Sequence, residues 1–283
     1  MKHLTYLIIF LVIAGILYAT ISSGAVKNLS SETTNKKIRI LIVPGHEPND
    51  GGAIYKGVKE RDLNLELSNQ IRNILASTTD AEIILARDED GWNIDLDTYV
   101  KNNETQIMDW VFDLKEKMLT KIDSGEMIKI NPGMKHNVAT SSAVLYLYGT
   151  NKWANENRID LILHVHFNNN PKWNGKPNYR GYCMYVPEKQ YNNATSSKIF
   201  ADYLNEEISK IQYASNMPQE KDLIIESQEL IAIGTYDTLN VPSVVVEYAY
   251  IYEPMMVDAT RRKNFIEKSA SSTATAILNY LKK

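Results

Sequence analysis

The sequence predicts an α/β fold: a single three-layer domain on a mostly parallel sheet of about six strands, preceded by an N-terminal membrane segment. Three observations predict it. Short β-branched apolar runs alternate along the chain with longer stretches whose apolar residues recur at helical spacing. Pro and Gly punctuate these stretches, as in Pro44-Gly45 and Asn131-Pro132-Gly133. An uncharged apolar run, Leu4 to Ile21, stands ahead of the rest.

That first run is longer than the usual core of a signal peptide and near the minimum for crossing a bilayer. Ser23, Gly24 and Ala25 are small enough to form a cleavage site, so residues 1–25 read as a signal peptide or a signal-anchor helix. Lys2 favours a cytoplasmic N-terminus, but Lys27, Lys36 and Lys37 on the far side leave the charge rule undecided. Residues 26–36, rich in Asn, Ser and Thr, read as a polar linker.

Residues 37–283 read as one domain. Residues 38–43 are a buried strand stopped by Pro44-Gly45. Residues 60–77 carry Leu63, Leu67, Ile71, Ile74 and Leu75 on one helical face. Further strands are expected at 82–86, 159–165, 181–186 and, after Pro242, at 243–246. Helices are expected at about 97–121, 136–157, 194–211 and 260–281, with Ile199, Tyr203, Leu204 and Ile208 of the third facing inward. Strands alternating with helices imply a sheet covered on both faces.

Composition bounds the chemistry. Of 283 residues, 44% are hydrophobic and 23% charged, the profile of an ordinary globular protein. A formal net charge of -3 argues against a nucleic-acid partner, which would call for a strongly basic face. The one cysteine, Cys183, excludes an intrachain disulfide and a cysteine-based metal site, so any metal must be held by His and carboxylates.

Such residues fall in suggestive places. His46 directly follows the first predicted strand, His164 and His166 end the third, and Glu247 ends the run Val244-Val245-Val246. Open α/β sheets bind their ligands at the carboxyl ends of the strands. Glu60 heads the apolar stripe of the first helix, and an inward-facing carboxylate there needs a cation or donors. Two imidazoles and a carboxylate, with water in an open position, make a catalytic zinc site. A further carboxylate, for which Glu247 is the candidate, would carry the proton from water to a leaving amine. Spacing alone does not decide between His164 and His166.

The run Ile40-Leu41-Ile42-Val43-Pro44-Gly45-His46 resembles the opening motif of the Amidase_3 family of N-acetylmuramoyl-L-alanine amidases. The Gly51-Gly52 loop leading to Glu60, Arg87-Asp88-Glu89-Asp90, Ala154-Asn155, His164-Val165-His166-Phe167-Asn168 and Pro242-Ser243-Val244-Val245-Val246-Glu247 follow in the family's order, over nearly all of 38–283. The resemblance implies one zinc ion on His46, Glu60 and His166, with Glu247 as catalytic acid and base. His164, Asn168 and Arg87 are candidates for supporting the ligands or touching substrate. It also implies hydrolysis of the amide between N-acetylmuramic acid and L-alanine in peptidoglycan, at the membrane facing the wall or in the exported protein.

Several positions depart from the family pattern. Glu47-Pro48 stands where glycines are usual after the first His, and His164 replaces a Ser. Tyr248-Ala249-Tyr250 follows Glu247, and residues 92–151 are longer than the usual connection, as in a helical insertion. That insertion is where a protein activator would act, and its Glu104, Glu116 or Glu126 could occlude the metal. Two alternatives stand beside the amidase reading: a zinc carboxypeptidase-like peptidase, and a non-catalytic wall-binding module.

Overall fold

The structure is a computed structural model and describes residues 37–48, 51–131, 139–169 and 179–283. The predicted membrane segment and linker, residues 1–36, lie outside the described residues. Among those described, no helix is long and apolar enough to cross a membrane.

Strand β1 (Arg39–Pro44) leads through a hairpin, β2 (Ile54–Tyr55) and β3 (Val58–Lys59), into helix α1 (Glu60–Thr78) and strand β4 (Glu82–Leu85). Helices α2 (Ile94–Asn102), α3 (Glu104–Asp123) and α4 (Ser141–Glu156) follow, then β5 (Leu161–Asn168) and β6 (Cys183–Pro187). The chain ends with α5 (Ala194–Ile208), β7 (Ile224–Ser227), β8 (Ser243–Tyr250), the short α6 (Pro254–Val257) and α7 (Ala259–Leu281). Six strands form one sheet in the order β4-β1-β5-β8-β6-β7. All neighbours are parallel except β6 and β8.

Alternation along the strands builds the three layers. In β1, Ile40 and Ile42 face one core with Leu63, Leu67 and Ile71 of α1, Phe200 and Leu204 of α5 and Ile266 and Ile277 of α7. Leu41 and Val43 face the other, with Val100 of α2, Val111 of α3 and Trp153 of α4. The predicted stripe of α1 is buried at Leu63, Leu67, Ile71 and Leu75, and each such side chain contributes about 1.5–3 kcal/mol.

The structure corrects several expected boundaries. The helix expected at 97–121 is two helices, broken where Asn103 ends α2 and begins α3 with non-helical backbone angles. The run expected to end at Val246 continues as strand to Tyr250, so Glu247 lies inside β8 and not at its end. Strand β7 and the β2–β3 hairpin were not foreseen from the sequence pattern. In α5, Phe200, Ala201, Leu204 and Ile208 are fully covered, while Ile199 and Tyr203 are half-buried.

The segment after α3 is tied down through its main chain. Gln190 exchanges two hydrogen bonds with the backbone of Ile128, at 2.8 and 3.0 Å. Gln228 accepts from the Ile130 N–H at 2.8 Å and donates to the Ile128 carbonyl at 2.9 Å. Both amides also donate to the buried Glu188 carboxylate, which fixes their orientation.

Candidate active site

The carboxyl ends of β1 and β5 and the head of α1 bring three side chains together. After β1 the chain turns sharply, with the Gly45 N–H donating to the Val165 carbonyl at 2.9 Å. His46 follows with φ of 69°, the left-handed region that a non-glycine residue adopts only under constraint. Its Nε2 lies 2.8 Å from Glu60 Oε1, and His166 Nδ1 lies 3.2 Å from the same oxygen. The second Glu60 oxygen accepts from the Ala53 N–H at 3.0 Å. Burial opposes charge on Glu60, but its bonds to His166 and His46 outweigh it and hold the carboxyl well below the usual range. For His166, burial dominates and lowers the imidazole pKa, favouring the neutral, ligating form.

These residues fit a metal ion. Two imidazoles and one carboxylate offer ligand atoms within 4.8 Å of one another, the one such group of three among the described residues. The donor set is that of a catalytic zinc site with an open position. Two glycines leave room for the rings. A Cβ on Gly45 would come within 2.3 Å of the His166 ring, and one on Gly52 within 2.4 Å of the His46 ring. Gly45→Ala is therefore expected to push His166 aside, lower metal affinity and destabilise the fold by about 1–3 kcal/mol. A metal titration beside a thermal melt checks this, and wild-type affinity in the variant would refute it.

Glu247 sits beside this cluster, paired in register with His166 across β5 and β8. Residues paired across adjacent strands point to the same face, so the carboxylate and the imidazole share one side of the sheet. The Glu247 side chain is half-buried, and its Oε2 is buried without a hydrogen-bond partner. Burial first, then the charges of Glu60 and Glu220, raise its pKa well above the usual carboxylate value.

A family profile described as N-acetylmuramoyl-L-alanine amidase, Amidase_3, matches residues 40–279. The chain belongs to the Amidase_3 family. It is 24% identical over 256 residues to a Buchnera aphidicola protein named "Putative N-acetylmuramoyl-L-alanine amidase", covering 88% of this chain and 97% of that one. Its fold is similar to an N-acetylmuramoyl-L-alanine amidase of Clostridium difficile 630, with a TM-score of 0.55 at 17% identity over 87% of this chain and 98% of that one. It is also similar to the CwlD amidase of Clostridioides difficile, solved in complex with the GerS lipoprotein, with a TM-score of 0.55 at 17% identity over 87% of this chain and 99% of that one.

Around the Amidase_3 constellation, the other predicted residues occupy distinct places. Arg87 is fully buried and donates to three carbonyls, those of Pro44 at 3.0 Å, Gly45 at 2.7 Å and Arg61 at 3.0 Å. It thus ties the His46 turn to the helix that carries Glu60. Burial, with Arg61 nearby, pulls its pKa down to about 10, so it remains charged at neutral pH.

His164 points to the same face as His166 but lies deeper, 1% exposed, with Nε2 unpartnered and a bond to the Ala232 backbone. Burial, reinforced by His166, drives its pKa down to about 3, so it is a neutral, packed ring outside the metal cluster. Asn168, two residues past His166, donates to Glu220 at 2.7 Å. Glu104, Glu116 and Glu126 are all exposed, and none belongs to the metal cluster.

Glu220 carries no signal in the sequence. It is fully buried, and its carboxylate accepts from Asn168, Tyr250 and Ser215, all neutral donors. In the sequence it stands in Gln219-Glu220-Lys221-Asp222, which reads as an ordinary solvated charge run. No periodicity there signals burial.

Proposed function

We propose that the chain is a zinc-dependent amidase that hydrolyses the bond between N-acetylmuramic acid and L-alanine in peptidoglycan, with Glu247 moving the proton. The observation that carries this reading is the convergence of His46, Glu60 and His166, with Glu247 in register beside His166. His46, Glu60 and His166 would hold the ion, which when bound acts as a Lewis acid on the scissile carbonyl and lowers the pKa of water. Glu60 contributes the negative charge of the ligand set, and the two imidazoles contribute neutral donors.

Glu247 does the proton work. A carboxyl whose proton affinity is raised by burial and by neighbouring carboxylates accepts a proton from water more readily than an ordinary carboxylate and can pass it to the leaving amide nitrogen. Its unpartnered Oε2 is free for that exchange. Arg87 and Asn64 hold the Gly45 carbonyl, and so the turn that aims His46, through bonds of 2.7 and 3.2 Å.

In this reading the protein acts on the wall side of the membrane, with the apolar run from Leu4 to Ile21 exporting or anchoring it. A protein partner belongs to the same proposal, since the CwlD amidase, similar in fold, is solved in complex with the GerS lipoprotein. The deciding experiment measures zinc content and peptide release from purified peptidoglycan by the full chain. Stoichiometric zinc with cleavage at the muramoyl amide is expected. Cleavage of sugar-free peptides instead would favour a carboxypeptidase-like enzyme, and absence of zinc from the active protein would refute the metal mechanism.

A further inference from the structure

Glu47 follows His46 directly and stands apart from the ligand set. Its carboxylate accepts from Ser142 Oγ at 2.7 Å and from Thr140 Oγ1 at 3.2 Å. Both hydroxyls belong to the start of α4, where Thr140 also caps the helix by accepting the Ala143 N–H at 3.1 Å. The residue after His46 is thus bonded to Ser142, 95 positions later in the chain and in the first turn of α4.

The backbone of His46 makes this bond consequential. Its left-handed conformation persists only where the surrounding structure fixes the chain on both sides. On the N-terminal side, Arg87 and Asn64 hold the Gly45 carbonyl. On the C-terminal side, Arg61 donates to the Pro48 carbonyl, and Glu47 is fastened to α4. The left-handed conformation falls on His46 itself, so side-chain bonds on both sides of it hold the turn.

We infer that Glu47 is a positioning residue that latches α4 to the turn carrying His46 and thereby holds that imidazole where it binds metal. The inference rests on the zinc reading above and adds a regulatory consequence to it. Displacing the start of α4 releases the latch, lets His46 relax out of its strained backbone and weakens metal binding. The helix is therefore a route by which a partner contacting residues 92–151 adjusts the site.

The test uses the full chain as wild type, Glu47→Ala, Ser142→Ala and the double variant. Zinc affinity is read by competition with a chromophoric chelator. In the metal-free proteins, the backbone conformation of His46 is read from its Cα and Cβ chemical shifts. Each single variant is expected to bind zinc about tenfold more weakly, as loss of a residue that orients a ligand does. The double variant should be no weaker than Glu47→Ala, because both changes break one interaction.

Left-handed shifts of His46 in the wild type should move towards averaged values in all three variants. Unchanged zinc affinity and unchanged shifts, with only a lower melting temperature, would mean that Glu47 merely caps α4, and would overturn the latch. A double variant losing the product of the single effects would also overturn it. The chemical-shift comparison decides the latch even if the wild type binds no zinc, an outcome that would defeat the proposed function separately.

Discussion

Replacing Glu247 with Gln is expected to lower kcat on peptidoglycan by about 10²–10⁴-fold while leaving zinc stoichiometric. The amide keeps the shape of the side chain and its place beside His166 but cannot take a proton from water. Because the change removes a step rather than a contact, KM should move little. A variant that lost zinc together with activity would instead place Glu247 among the ligands.

The same substitution carries a stability signature of opposite sign. The folded-state pKa of Glu247 is raised above its unfolded value of about 4.5. Its contribution to stability is therefore fully present below that unfolded value and is lost as pH rises through the folded pKa. At neutral pH the wild type bears this loss, and Gln does not. Metal-free Glu247→Gln should melt higher than metal-free wild type at pH 8, by about 2–4 °C for each kcal/mol recovered, with the gap closing towards pH 4. A lower melting temperature at pH 8 would contradict the assignment of the raised pKa.

Arg87→Met should have the largest effect on folding. The buried guanidinium serves three carbonyls, and of these Gly45 alone has another side-chain donor, Asn64. Met fills similar space but leaves the Pro44 carbonyl without its side-chain donor, at about 1–3 kcal/mol, and removes charge-assisted bonds to the Gly45 and Arg61 carbonyls, which Asn64 and the turn of α1 still engage. A loss of about 3–5 kcal/mol is expected, read as a fall of roughly 10 °C in Tm. Arg87→Lys should recover only part, because an ammonium lacks the planar fork that reaches carbonyls on two elements. Equal stability of Met and Lys variants with wild type would remove Arg87 from its tying role.

The two levels of the molecule were legible to different degrees. Strands such as Arg39–Pro44 and Leu161–Asn168 announce themselves, since buried parallel strands read as continuous apolar runs. Strand β7 does not. Ile224–Ser227 is a short edge strand, half-buried, with two of its four residues polar, and nothing in that pattern separates it from a loop. The break at Asn103 escaped because the apolar spacing continues across it.

At the site, His46, Glu60, the His164–His166 pair and Glu247 stand out in the sequence because they punctuate apolar runs, the family resemblance points to His166 of the pair, and the fold brings His46, Glu60 and His166 within 4.8 Å of one another. The Gly45 and Gly52 cradles follow from the same motif once the rings are placed. Glu220 and the Glu47 latch were not found, because each depends on partners remote in sequence, and only folding brings Asn168 or Ser142 within reach.

The glutamine clamp at the far end of the helical layer has a consequence for how this surface can change over time. Gln190 and Gln228 grip only the peptide groups of residues 128–130, and the side chains of Ile128 and Ile130 project outward, 66% and 40% exposed. The path of the strip is thus held independently of what it displays. Residues along it can drift, acquire charge or take up a new recognition task while the grip and the core beneath stay as they are. The displayed surface of this strip is thus separable from the bonds that hold it.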